Sequence, residues 1–169
     1  MVNNPVKYDK DNIMLHKLDI IDKNILEIMQ NDDTIPITDI ADRIGSSKSV
    51  VWRRLQSLQE TGIIKKRIAL LDRTKIGLSV MIFANVKMQA NNRDSLPHFI
   101  EKVQEFPEVI ECHTLMGDID FMLKIVVGDV TDYERFFWEK LSQIDGVREI
   151  NSSIALTAVK DTTQLPIKV

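Results

Sequence analysis

Apolar residues recur at helical intervals in the first third of the chain and alternate along much of the rest. In LDIIDKNILEIMQ, the positions Leu18, Ile21, Ile25, Ile28 and Met29 share one helical face, and Asn31, Asp32 and Asp33 stop the helix. A second short helix is predicted within about residues 36–44, with Ile37, Ile40, Ala41 and Ile44 inward between Pro36 and Gly45. In SSKSVVWRRLQSLQETG, residues 46–62, Ser47 is the natural N-cap and Gly62 the left-handed stop. Val51, Leu55 and Leu58 fall at i, i+4 and i+7 and face inward, which turns Lys48, Ser49, Trp52 and Arg53 outward. Three short helices with a Gly45-Ser46-Ser47 junction make a helix-turn-helix unit. The serines are a turn and a cap, not a nucleophile.

Residues 63–76 read as a short strand and linker carrying Lys65, Lys66 and Arg67. Past Gly77 the period changes. SVMIFANVKM alternates as a strand, NNRDS is a loop, and LPHFIEKVQEF is a helix with Leu96, Phe99, Ile100 and Val103 inward. VIECHTL and FMLKIVV are strands joined by the turn MGDID. Thr131 and Glu134 form a capping box opening a helix with Tyr133, Phe137, Leu141 and Ile144 inward. EINSSIALTAV closes the pattern as a strand with Ile150, Ile154, Leu156 and Ala158 on one face.

The fold class is therefore α+β: an N-terminal (winged) helix-turn-helix followed by a ferredoxin-like βαββαβ domain. The expected divisions are an extension over residues 1–17, the helix-turn-helix over 18–64, a linker strand over 65–78 and the second domain over 79–169. Both helices of such a sheet lie on one side, so the other side, partly apolar, is open to a second chain.

Charge sharpens the picture. The chain is acidic overall at −3, yet residues 36–75 hold nine Lys/Arg against four Asp/Glu, and residues 76–169 nine against fourteen. A basic segment between acidic ones suits a polyanion partner for that segment alone. One cysteine, Cys112, excludes an internal disulfide framework and is read as a core thiol. Three scattered histidines offer no metal cluster, His113 being placed at an interface rather than in catalysis. No apolar run suits a membrane span and MVNNPVKYDKDNIMLHK does not resemble a secretory signal, so a cytoplasmic protein is expected.

Four fragments in this order carry a resemblance: Leu18-Asp19 with Asp22 and Ile25-Leu26, RRLQSLQETGII, ECHTLMGDID, and VKDTTQLPI. The chain resembles the Lrp/AsnC, or feast/famine, transcriptional regulators over about residues 18–169. The resemblance implies a DNA-binding head and a C-terminal domain that dimerises, assembles further to tetramers or octamers, and binds amino acids between subunits. It implies no catalysis and no cofactor. The start of the third helix, SSKS, departs from the Leu-Ser followed by proline or small residues found in many members, so no operator sequence carries over.

In such a unit the third helix enters the major groove of double-stranded DNA. Lys48, Ser49 and Arg53 are the candidates for base edges, with Ser47 at the helix start. Trp52 either packs on the sugar-phosphate backbone or a thymine methyl, or tucks against the first helix. Arg54 either joins the DNA set or pairs internally with Asp22 or Glu60. Lys65, Lys66 and Arg67 are expected on phosphates. For the turn, the residues alone read as an ordinary Gly-Asp hairpin. The resemblance makes it a ligand site, with Leu115, Met116, Gly117, Asp118 and Asp120, joined by Ser152, Ser153 and Ile154 and by Val130. There Asp118 and Asp120 would meet an α-ammonium group and the turn amides an α-carboxylate. Two other readings stay open. One is a sirohaem-decarboxylase-like enzyme of the same architecture, and the other is a co-regulator that binds no DNA itself.

Overall fold

The computed structural model describes residues 17–89 and 95–169. The expected extension before Lys17 and the NNRDS loop up to Asp94 lie outside the described residues. The chain forms two compact units, one made of the described residues up to Ala69 together with Asp161–Val169, the other of Leu70–Lys160.

In the first unit, helix α1 spans Ile20–Asn31, α2 Ile37–Arg43 and α3 Lys48–Glu60. Asp19 opens α1 by accepting from the amides of Ile21 and Asp22, and the Asp22 carboxylate accepts from the Asp19 amide in return. Ser47 caps α3 by accepting from the Val50 amide. The inward residues of all three helices meet in one core of Ile25, Leu26, Ile40, Ala41, Val51, Leu55 and Leu58. Gly62 takes a φ of 74° and the Ile64 amide reaches back to the Leu58 carbonyl, which ends α3 and returns Ile63 and Ile64 to that core.

A charge pins α3 to α1. Arg54 Nη2 lies 2.8 Å from Asp19 and Nη1 3.3 Å from Asp22, whose side chain is only 8% exposed. A buried carboxylate is costly without a cation and hydrogen bonds. Arg54 is thus tied internally to α1, the pairing with Asp22 that the sequence left open.

The strand expected within residues 63–76 does not form. A strand needs a hydrogen-bonded neighbour, and none of the described strands pairs with this segment. Asp72 instead accepts from the amide and hydroxyl of Thr74, and Arg73 donates to the carbonyls of Leu78 and Ser79.

The second unit is a four-stranded antiparallel sheet ordered β2-β3-β1-β4, with β1 Val80–Met88, β2 Val109–Thr114, β3 Phe121–Val127 and β4 Val147–Ala155. Helices α4, Ser95–Gln104, and α5, Val130–Glu139, supply its remaining core. Ile82, Ala84, Val86 and Met88 of β1 alternate inward with Phe121, Leu123 and Ile125 of β3, against Phe99, Val103, Phe136, Leu141 and Ile144. On the opposite face stand Met81, Phe83, Asn85, Met122, Lys124, Asn151 and Ser153. This face is open in the single chain.

Several local expectations are corrected. Helix α5 starts before Thr131 and is capped by Asp129, which accepts from the Asp132 amide. Phe136, rather than Phe137, is its deeply buried residue, because the helix stops at Glu139 and a short 3₁₀ turn carries Leu141. Leu96 is exposed, and β4 ends at Ala155, leaving Leu156 in solvent. Cys112 sits exposed on the edge strand β2, although neighbouring burial raises its thiol pKa.

Replacing Arg54 with Ala strands Asp22 in the head, and the expected loss is about 1.5–3 kcal/mol, the range for hydrogen bonds to charged groups. The head's melting transition should fall by several degrees at pH 7, and an unchanged transition would remove the tie. The Asp22 amide hydrogen bond, then the Arg54 charge, lower the Asp19 carboxyl from its ordinary 3.8. Its contribution is therefore present above that value and lost as pH falls through the lower folded one.

Candidate DNA interface and effector site

The outward face of α3 is built by subtraction. With Val51, Leu55 and Leu58 inside and Arg54 held by α1, the remaining side chains Lys48, Ser49, Trp52 and Arg53 are exposed. Trp52 is 55% exposed, so it does not pack into the head core. Among the described residues no carboxylate lies within ion-pair distance of Lys48, Arg53, Lys65 or Lys66. Four cations therefore stay available to a polyanion. The Ser47 and Ser49 hydroxyls stand 3.1 Å apart, with Ser47 engaged as cap and Ser49 one position further out.

Arg67 differs from Lys65 and Lys66 in having a partner within the head. Its Nε lies 2.7 Å from an Asp33 carboxylate oxygen and Nη2 also donates to the Asp33 carbonyl, tying the end of the head to the α1–α2 loop. Gln56, exposed and one turn beyond Trp52 and Arg53, completes the same stripe. Its spacing from Trp52 was a sufficient signal, missed because a neutral glutamine adds nothing to a charge count.

The turn between β2 and β3 has a defined shape. The Leu115 amide donates to the Asp120 carbonyl and the Asp120 amide to the Val86 carbonyl. Asp120 Oδ2 accepts from the Met88 amide at 2.7 Å, so this carboxylate is already committed to holding the turn on β1. Gly117 takes a φ of 138°, a conformation that a side chain resists. Met116 stands fully in solvent and Leu115 is half exposed. Among the described residues nothing accepts from the amides of Met116, Gly117 or Asp118. Successive backbone amides left free in a turn are donors an anion can use.

The other effector candidates form a separate group. Ser152 pairs with Ala84 and lies on the helix side of the sheet, where its hydroxyl meets the Tyr133 hydroxyl. Burial raises the Tyr133 pKa, with the Ser152 hydrogen bond opposing it. A groove of about 400 Å³ opens here, lined by Val130, Tyr133, Phe137, Trp138, Ile150 and Ser152, with Glu134 at its rim. Ile154 lies on the same side, beside Ile82, whereas Ser153 faces the open side beside Phe83. Of the aromatic residues of this groove, the sequence reads Tyr133 and Phe137 only as an inward helical stripe and does not single out Trp138.

The two groups do not meet within one chain. The turn hangs on Val86–Met88 while Ser152 pairs with Ala84 on the far side of β1. Two strand spacings and two to four residues separate them, at least roughly 12 Å on ordinary sheet geometry. His113, on β2, faces the open side, 3.2 Å from Glu111, which also pairs with Lys124 at 2.8 Å. The Lys124 and His113 hydrogen bonds lower the Glu111 carboxyl. Among the described residues no three His, Cys, Asp or Glu converge on a metal site, and no helix is long and apolar enough to cross a membrane.

Residues 81–165 match the family model of the Lrp/AsnC ligand binding domain, and residues 18–65 that of winged helix-turn-helix DNA-binding. The chain is 37% identical over 150 residues to the transcriptional regulator AzlB of Bacillus subtilis, covering 89% of this chain and 96% of that protein. It is similar to the crystal structure of an AsnC family transcriptional regulator from Agrobacterium tumefaciens, at 37% identity and TM-score 0.83, covering 88% and 97%. A structure of the Neisseria meningitidis regulator NMB0573 in complex with L-Met superimposes with TM-score 0.84 at 30% identity, covering 88% and 96%.

The division of the cations predicts unequal mutants. Arg53→Ala should weaken binding to a duplex carrying a recognised site by tenfold or more, and Lys65→Ala should flatten the slope of log affinity against log salt by about one. Arg67→Ala should leave that slope unchanged. Fluorescence anisotropy across a salt series separates these outcomes, and equal effects from Arg53 and Arg67 would contradict the assignment.

Proposed function

The chain belongs to the Lrp/AsnC family of transcription regulators, and on that premise we propose how its two units divide the work. The head binds double-stranded DNA in a sequence-dependent way, with α3 in the major groove. Lys48, Ser49, Arg53 and Gln56 face base edges, Trp52 lies along the backbone or a thymine methyl, and Lys65 and Lys66 meet phosphates. The observation that carries this reading is the outward face of α3, whose cations have no ion-pair partner among the described residues while Arg54, next to Arg53, has two.

The second unit binds an amino acid or similar small metabolite without transforming it, and the protein acts in the cytoplasm as a regulator, not an enzyme. The turn amides of Met116–Asp118 suit an α-carboxylate and the Asp118 carboxylate an α-ammonium group. The apolar groove beside Val130, Tyr133 and Ser152 suits a side chain. The roughly 12 Å between turn and groove exceeds what one small amino acid bridges. The reading that fits is a site completed between subunits, the turn from one and the groove from another. The open face of the sheet, with Met81, Phe83 and Met122 among polar neighbours, supports a homodimer, and contacts through turn and groove would carry it to a tetramer or octamer. A ligand there bears on surfaces that move between assembly states, which a regulator requires.

The test has two arms. A gel shift with the region upstream of the protein's own gene, at two salt concentrations, should show a complex that outlasts that with random duplex as salt rises. A thermal-shift screen of the twenty amino acids should single out one or a few. Loss of preference for the upstream region would contradict the DNA reading, and a flat screen the effector reading.

Within that site the two carboxylates should behave differently. Asp118→Ala should raise the effector midpoint tenfold or more and leave melting unchanged. Asp120→Ala should lower melting itself, because it frees the Met88 amide from its partner. Isothermal titration beside a melting curve distinguishes them, and an unchanged midpoint in Asp118→Ala would remove that residue from the site.

A further inference from the structure

The last nine residues, Asp161–Val169, belong to the compact unit formed by the head, although β4 just before them belongs to the sheet domain. Their attachment is specific. The Leu165 amide donates to Gln30 Oε1 at 2.6 Å and Gln30 Nε2 donates to the Leu165 carbonyl at 3.2 Å, so one side-chain amide reads one backbone unit from both sides. Gln164 Nε2 donates to the neighbouring Asn31 side chain. Ile167 then packs, partly buried, on the head core. Leu165 precedes Pro166, and a residue before proline is biased toward extended backbone, in which its amide and carbonyl are both presented.

We propose that residues 161–169 are a strap that restrains the head, making the C-terminus a second mechanical connection between the two units besides the linker after α3. The chain passes between the units at Ala69–Leu70 and again at Lys160–Asp161. A unit held by one flexible linker reorients freely, whereas a second, short connection closes a loop and removes much of that freedom. Residues 156–163 separate the end of β4 from the first tail contact at Gln164, and eight extended residues reach at most about 28 Å. Leu156 and Val159 are almost wholly exposed, so neither is a packed anchor for this connector. A shift at the end of β4 thus reaches the C-terminal turn of α1, and α1 is joined to α3 through Arg54. The strap needs no effector to exist and so goes beyond the regulatory reading.

The two tryptophans report on it, since Trp52 lies in the head and Trp138 in the sheet domain. The protein is labelled with 5-fluorotryptophan, and ¹⁹F line widths are compared between the full chain, a chain ending at Lys160, and the full-length double variant Gln30→Ala, Ile167→Ser. The strap predicts that the Trp52 resonance narrows at least twofold in both altered proteins while that of Trp138 keeps its width. Circular dichroism confirms that the head stays helical. If either altered head loses its helix signal, Gln30→Ala alone, which removes only the paired hydrogen bonds, is read in the same way. Unchanged Trp52 width in every folded variant would overturn the proposal.

Discussion

A single guanidinium sets the orientation of the recognition helix. Arg54 lies between Asp19, which caps α1, and Asp22, which is almost wholly buried behind it. Because the pairing fixes α3 about its own axis, the residues on either side have no choice of direction. Val51, Leu55 and Leu58 enter the core, and Lys48, Trp52 and Arg53 enter water. Removing the cation would leave a carboxylate in a low-dielectric site, a penalty large enough to make this register strongly preferred over a rotated one. The DNA-facing stripe is in that sense a consequence of an acidic pair on another helix.

The sheet domain follows a different constraint. Both helices cover one face, and the turn after β2 is fastened to β1 through Asp120. Asp118 has no such tie, and the groove beside Tyr133 lies on the far side of β1 from the turn. Lysines and arginines outnumber carboxylates nine to four over residues 36–75, whereas residues 76–169 hold nine against fourteen, so the attraction to phosphate is local to that basic segment.

Much of this was legible in the residues. The period of Val51, Leu55 and Leu58, the Ser47 cap and the alternation in VMIFANVKM gave helix-turn-helix and sheet alike, because each rests on local geometry. What failed rested on partners. A capping signal at Thr131 lost to Asp129 two positions earlier, since both side chains can accept from a helix amide and only packing decides. Residues 63–76 have strand-like character without a neighbouring strand to pair with. Arg54 and Arg67 look like any surface cations until Asp22 and Asp33 are placed beside them. In the effector set, adjacency in a family pattern carried no information on distance, so the separation of Ser152 from the turn and the structural duty of Asp120 emerged only from the pairing of strands.

Hydrogen exchange on the full-length protein, with and without the duplex from upstream of its own gene, tests the division of labour most directly. The account predicts slowed exchange confined to the head, strongest across Ser47–Gln56 and reaching Lys65 and Lys66, with β2, β3 and β4 unchanged. Protection centred on the sheet domain, with α3 exchanging as in the free protein, would contradict it.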